Sequence, residues 1–87
     1  MDVLDGNAIA GALADVFGVE MTDAAGTCAH CGAHGPVAEL TVYVRGPGTV
    51  VRCRSCQGIV MVLAEVRGVT CVDLMGLAAL DAPPAPL

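Results

Sequence analysis

Residues 5–18 carry apolar side chains at Ile9, Leu13, Val16 and Phe17, spaced four, three and one apart, which places them on one stripe of a helix. Asp5 stands where an N-cap is needed, and Leu4 and Ile9 fit a staple across that cap. Gly18 follows the last turn and suits a left-handed C-terminus. Gly6 and Gly11 weaken the helix, so it depends on packing against the rest of the chain. After a polar stretch the period changes to two. Residues 36–44 alternate Leu40, Val42 and Val44 against Glu39, Thr41 and Tyr43, which predicts a half-buried strand. A turn at residues 45–48 separates it from a second strand at 49–52. Residues 59–66, "IVMVLAEV", predict a third strand that is apolar on both faces, and "RG" at 67–68 turns a hairpin into 69–74. Residues 74–80, "LMGLAAL", predict a short terminal helix, and the proline-rich end at 81–87 is expected to be a disordered tail.

These elements make one domain over residues 1–80, a small α+β fold in which an N-terminal helix packs on an antiparallel sheet of three to four strands. A chain of 87 residues buries a modest fraction of its surface and needs a staple. Hydrophobic residues are 55% of the chain but aromatics only 2%, so the core must be built from small aliphatic side chains. The mean hydropathy of +0.70 is more than so small a globule can hide, and a protein partner or a homo-oligomer is expected. No apolar run approaches the roughly 18 residues of a membrane-spanning helix. The N-terminus lacks the pattern of a secretory leader, which makes the cytoplasm the expected location.

The staple is legible in the cysteines. Cys28 and Cys31 form one pair with two residues between them, Cys53 and Cys56 form another, and 21 residues separate the pairs. The two predicted strands and their turn fill that interval, so a hairpin would bring the second pair back beside the first. Two such pairs match a tetrahedral four-cysteine site that binds zinc. Gly32 and Gly58 would let the backbone curl so that its amides point at thiolate sulfurs. A thioredoxin-like pair would sit between a strand and a helix, whereas strands follow both pairs here. A rubredoxin-like iron site uses the same ligands. Phe17 and Tyr43 are the only aromatic residues, a composition unlike ring-rich rubredoxins, which favours zinc over iron.

With four protein ligands no coordination position is left for substrate, and closed sites are structural. No catalytic residue is expected: Asp15, Glu20 and Asp73 are too scattered for acid–base work. His30 lies between two ligands and is expected to face solvent or a neighbouring loop rather than replace a ligand or relay protons. His34 is expected to be an exposed loop histidine, the alternative being a hydrogen bond that supports the site. Cys71 is expected to be a buried or half-buried structural cysteine rather than a reactive thiol. The net charge is −5, and four thiolates with a divalent ion would add a further −2, so nucleic acid is a poor partner.

The paired cysteines make the chain resemble a zinc ribbon. More specifically, "LDGNAIAGALADVFGVEMT", "GTVVRCRSC" and "VRGVTCVDLMGLAAL" resemble a small actinobacterial family of uncharacterised zinc-ribbon-like proteins, and the resemblance covers nearly the whole chain. It implies Cys28, Cys31, Cys53 and Cys56 as zinc ligands and supplies no activity. The closed site, the acidity and the excess of apolar residues make a non-catalytic protein-interaction module the expected function, the alternative being a rubredoxin-like iron carrier of single electrons; the resemblance further implies an accessory role beside a flavin or molybdenum oxidoreductase.

Overall fold

A computed structural model describes residues 3–46 and 48–81. Strand β1 (Val3–Asp5) leads through a 3-10 turn (Gly6–Ile9) into helix α1 (Ala10–Phe17). Then come β2 (Ala25–Cys28), β3 (His34–Pro36), a second 3-10 turn (Val37–Glu39), β4 (Thr41–Arg45), β5 (Gly48–Arg52), β6 (Ile59–Val66), β7 (Val69–Asp73) and β8 (Leu77–Asp81). The strands form two antiparallel sheets, one ordered β1-β4-β5-β6-β7 and the other β3-β2-β8. The α+β class matches the sequence expectation, but among the described residues eight strands in two sheets replace the three or four expected in one.

The N-terminal element is a shorter α-helix than expected. Asp5 caps the 3-10 turn that leads into it, its carboxylate accepting from the Asn7 N–H at 3.0 Å, and Gly18 closes the helix at φ 76° with its N–H on the Ala14 carbonyl at 2.7 Å. The first turn is nevertheless 3-10, because it is pressed onto the second 3-10 turn: a Cβ on Gly6 would run into the Val37 carbonyl oxygen. Ile9 and Leu13 are buried, while Val16 and Phe17, expected on the same stripe, are exposed. The helix packs on β7, an edge strand, so no further strand lies beyond it to cover the last turn.

The alternation read over 36–44 holds only from Thr41 onward. Residues 37–39 turn instead, because Val37 and Ala38 donate to the carbonyls of Ala24 and Thr22 and so carry the chain from the smaller sheet to the larger. Val37 at their head is fully buried. Of the helix expected over 74–80, residues 74–76 form a turn and 77–80 belong to strand β8, whose backbone pairs with β2. Its apolar, alanine-rich composition favours a helix, and tertiary pairing overrides it. Asp81 is the last residue of β8, so the expected tail begins inside the fold and its remainder lies outside the described residues.

A row of paired residues, Val42, Val51 and Met61, lines one face of the larger sheet beneath Ile9 and Leu13, and all five are buried. Val60, Val37, Ala24, Cys28 and Cys53 extend the same cluster toward the smaller sheet. The core thus ends on sulfur atoms. The opposite face of the larger sheet carries the row Val3, Tyr43, Val50 and Val62, whose members are half-buried or exposed.

Candidate metal centre

Each cysteine pair sits in the turn of a β-hairpin, the first between β2 and β3 and the second between β5 and β6. The two turns repeat one hydrogen-bond pattern. Cys28 N–H donates to the Ala33 carbonyl at 2.8 Å and Gly32 N–H to the Cys28 carbonyl at 2.9 Å. Cys53 N–H donates to the Gly58 carbonyl at 2.8 Å and Gln57 N–H to the Cys53 carbonyl at 3.0 Å. Backbone amides also aim at sulfur: His30 N–H lies 3.4 Å from the Cys28 Sγ, and Ser55 N–H 3.3 Å from the Cys53 Sγ. Such donors stabilise thiolates and fix their direction.

This geometry corrects the role expected for one glycine. The left-handed position is Gly32 in the first turn, at φ 77°, and Gln57 in the second, at φ 64°. Gly58 serves a different need. A Cβ there would lie 2.7 Å from the His30 Cδ2 and 3.3 Å from the Cys56 Sγ, so glycine lets the two turns close on each other.

The four sulfurs lie within 4.8 Å of one another. Cys28 and Cys56 approach to 3.8 Å across the turns, and Cys31 and Cys53 to 3.6 Å. Metal–sulfur bonds of about 2.3 Å at tetrahedral angles place sulfurs about 3.8 Å apart, so this quartet has the dimensions of a four-thiolate site. One member of each pair, Cys28 and Cys53, is buried, and the other, Cys31 and Cys56, is exposed. The ion would therefore sit at the rim of the core, joining the two sheets.

The cluster divides its protons unevenly. The Cys56 N–H pulls the Cys53 thiol down against the upward push of burial, and with help from the Ser55 N–H, Cys31 and Cys28 it settles at about 6. Cys31 receives the Ala33 N–H, which also lowers it, but burial and the hydrogen bonds to Cys53, Cys56 and Cys28 prevail and push it up to about 12. Cys53 is thus the first thiolate, and Cys31 keeps its proton at neutral pH until a metal displaces it. Metal and protons compete for the same sulfurs, so affinity falls as the pH is lowered, most steeply once Cys53 is itself protonated below about 6. Titration calorimetry at pH 7 in buffers of different ionisation enthalpy should show proton release on loading; heats independent of buffer contradict this.

The histidines are placed more firmly than the sequence suggested. His30 lies against Gly58, and its Nε2 is 3.1 Å from the Ile59 carbonyl, so it links the first turn to the strand that leaves the second. His34 is exposed and pairs across β2 and β3 with Thr27, Nδ1 to hydroxyl at 2.8 Å, so it touches no ligand sulfur. Cys71, expected to be buried or half-buried, is exposed instead. It lies on edge strand β7, on the face away from Val72, which packs against the core.

The Gly76 carbonyl went unanticipated by sequence reasoning. It accepts from the Ala29 N–H inside the first turn at 2.9 Å, while the Gly76 Cα abuts Ile59 and Val60. The only signal for it in the sequence was a glycine inside an apparent helix.

Neither a curated protein nor a solved structure matches the chain. A family model described as a family of unknown function, DUF6510, matches residues 1–85. The chain, with its four-cysteine cluster, therefore belongs to the DUF6510 family.

Proposed function

We propose that this protein is a non-catalytic, zinc-ribbon-like module in which one zinc ion, held by Cys28, Cys31, Cys53 and Cys56, fixes two sheets relative to each other and so presents a surface to a protein partner. The observation that carries this reading is the matched pair of hairpin turns, whose four sulfurs converge at tetrahedral spacing. Four thiolates complete the shell of zinc and leave no position for substrate. The cavity that touches Cys28 and Cys53 holds about 90 Å³, whereas ligand pockets run from about 300 Å³ upward.

Charge supports a protein partner over nucleic acid. The two arginines that flank Cys53 are engaged within the fold: Arg52 donates to the Gln57 carbonyl at 2.9 Å and lies 5.8 Å from the Tyr43 ring, and Arg54 pairs with Glu39 at 3.0 Å. With a net charge of −5, little positive surface is left for phosphates. Free thiols and a thiolate-bound ion suit a reducing compartment such as the cytoplasm.

Elemental analysis of untagged protein, with a visible spectrum and a reductive titration, tests the assignment. One zinc per chain, no colour and no electron uptake are expected. A red protein that takes up one electron per chain would replace this reading with an iron electron carrier built on the same four thiolates.

A further inference from the structure

β7 is a free edge of the larger sheet: its inner side pairs with β6, and among the described residues no backbone hydrogen bond from outside the sheet reaches it. Natural edge strands are blunted by charged side chains, proline, a bulge, or a covering helix or loop. β7 has no lysine, proline or bulge and pairs with β6 in unbroken register; it carries Asp73 as its one charge, and α1 packs on it without taking up its backbone groups.

Its hydrogen-bonding groups can be assigned from the turn before it. Arg67 and Gly68, at φ 53° and 77°, form the two-residue left-handed turn of the β6–β7 hairpin. The turn bond joins the Val66 carbonyl to the Val69 N–H, so Val66 and Val69 are a hydrogen-bonded pair. Alternation along the register then makes Ala64 and Cys71 another such pair. The N–H and C=O groups of Thr70 and Val72 therefore point outward, symmetrically about Cys71.

We infer that the partner of this edge is a second copy of the chain, its β7 running antiparallel to the first about a two-fold axis at Cys71. This rests on the reading of the protein as an interaction module and names its surface and its partner. In this register Thr70 of each copy faces Val72 of the other, and the two pairs exchange four backbone hydrogen bonds. The two Cys71 residues face each other as a non-hydrogen-bonded pair, the closer of the two antiparallel spacings, at about 4.5 Å between Cα atoms. In this register Asp73 of each copy faces Val69 of the other, with Arg67 of the preceding turn diagonal to it, so opposite charges lie near each other twice. Val69, which is 61% exposed, gains a neighbour across the axis. The two sheets become one of ten strands, and the unprotected edge is gone.

Sedimentation equilibrium of the metal-loaded full chain, with metal content measured on the same sample, tests the inference. A dimer is expected. Thr70→Pro removes an outward N–H without costing a bond to β6, and it should yield monomer with metal retained. Cys71→Glu replaces an exposed side chain and sets two carboxylates face to face; dimer dissociation should rise at least tenfold, and this variant decides the matter if Thr70→Pro fails to load metal. Glutathione disulfide should join the wild-type copies through Cys71 alone, two thiols giving up two electrons and two protons as the reagent becomes two glutathione thiols. Metal-loaded monomer at all concentrations, or a dimer insensitive to Cys71→Glu, overturns the pairing and leaves the metal assignment standing. Absence of bound metal counts against the metal assignment instead.

Discussion

Stripping the metal with a chelator should unfold the cysteine-bearing turns and take both sheets with them. Cys28 ends β2 in the smaller sheet, and Cys53 follows β5 in the larger, at 4% and 3% exposure. Their side chains belong to the same buried cluster as Leu13, Met61 and Val60. A structural four-thiolate site contributes on the order of 10 kcal/mol, comparable to the whole stability of a small domain, about 5–15 kcal/mol. Far-ultraviolet circular dichroism before and after verified metal removal should therefore show loss of the β signal. An unchanged spectrum contradicts the account.

Gly76→Ala should be nearly as severe, although residue 76 is distant in sequence from every ligand. The added Cβ would be driven into the Ile59 carbonyl and the Val60 backbone, immediately after the second turn. Relief by shifting residue 76 would pull its carbonyl off the Ala29 N–H in the first turn. Backbone atoms cannot swing aside as a side-chain tip does, so a loss of more than about 3 kcal/mol is expected. Metal affinity should weaken in parallel, because both turns are disturbed. Gly11→Ala is the control: a Cβ there meets nothing within 4 Å, and alanine favours helix, so stability should hold or rise slightly. Chemical denaturation of the loaded variants measures both, and equal stability of Gly76→Ala and wild type contradicts the packing described.

The parts of this molecule legible in sequence are those with strong local signals. The hairpin of β6 and β7 follows from a long apolar run and a turn dipeptide, and the cysteine quartet from its spacing. The strands β2 and β3 left no such trace: "AGTC" and "HGP" are short, small and polar, and they are strands because of what they pair with. β8 was masked by its alanines. Gly76 was its one local objection to a helix, and its reason, a close approach to Ile59 and Val60, lies in the tertiary structure. Cys71 was misplaced for a related reason. Alternation assigned it correctly to the face opposite Val72, but a sequence does not say which strand is the last in a sheet. The hydrogen bond from His30 to Ile59 depends on two turns meeting, which no spacing in the chain records.

X-ray absorption at the zinc edge of the loaded protein tests the central claim most directly, because it counts ligand atoms and measures their distances. Four sulfurs at about 2.3 Å, with no nitrogen or oxygen in the shell, are the predicted result. A shell of fewer than four sulfurs, filled out by a histidine nitrogen or a water oxygen, would contradict the closed four-cysteine site and with it the argument that the ion is structural.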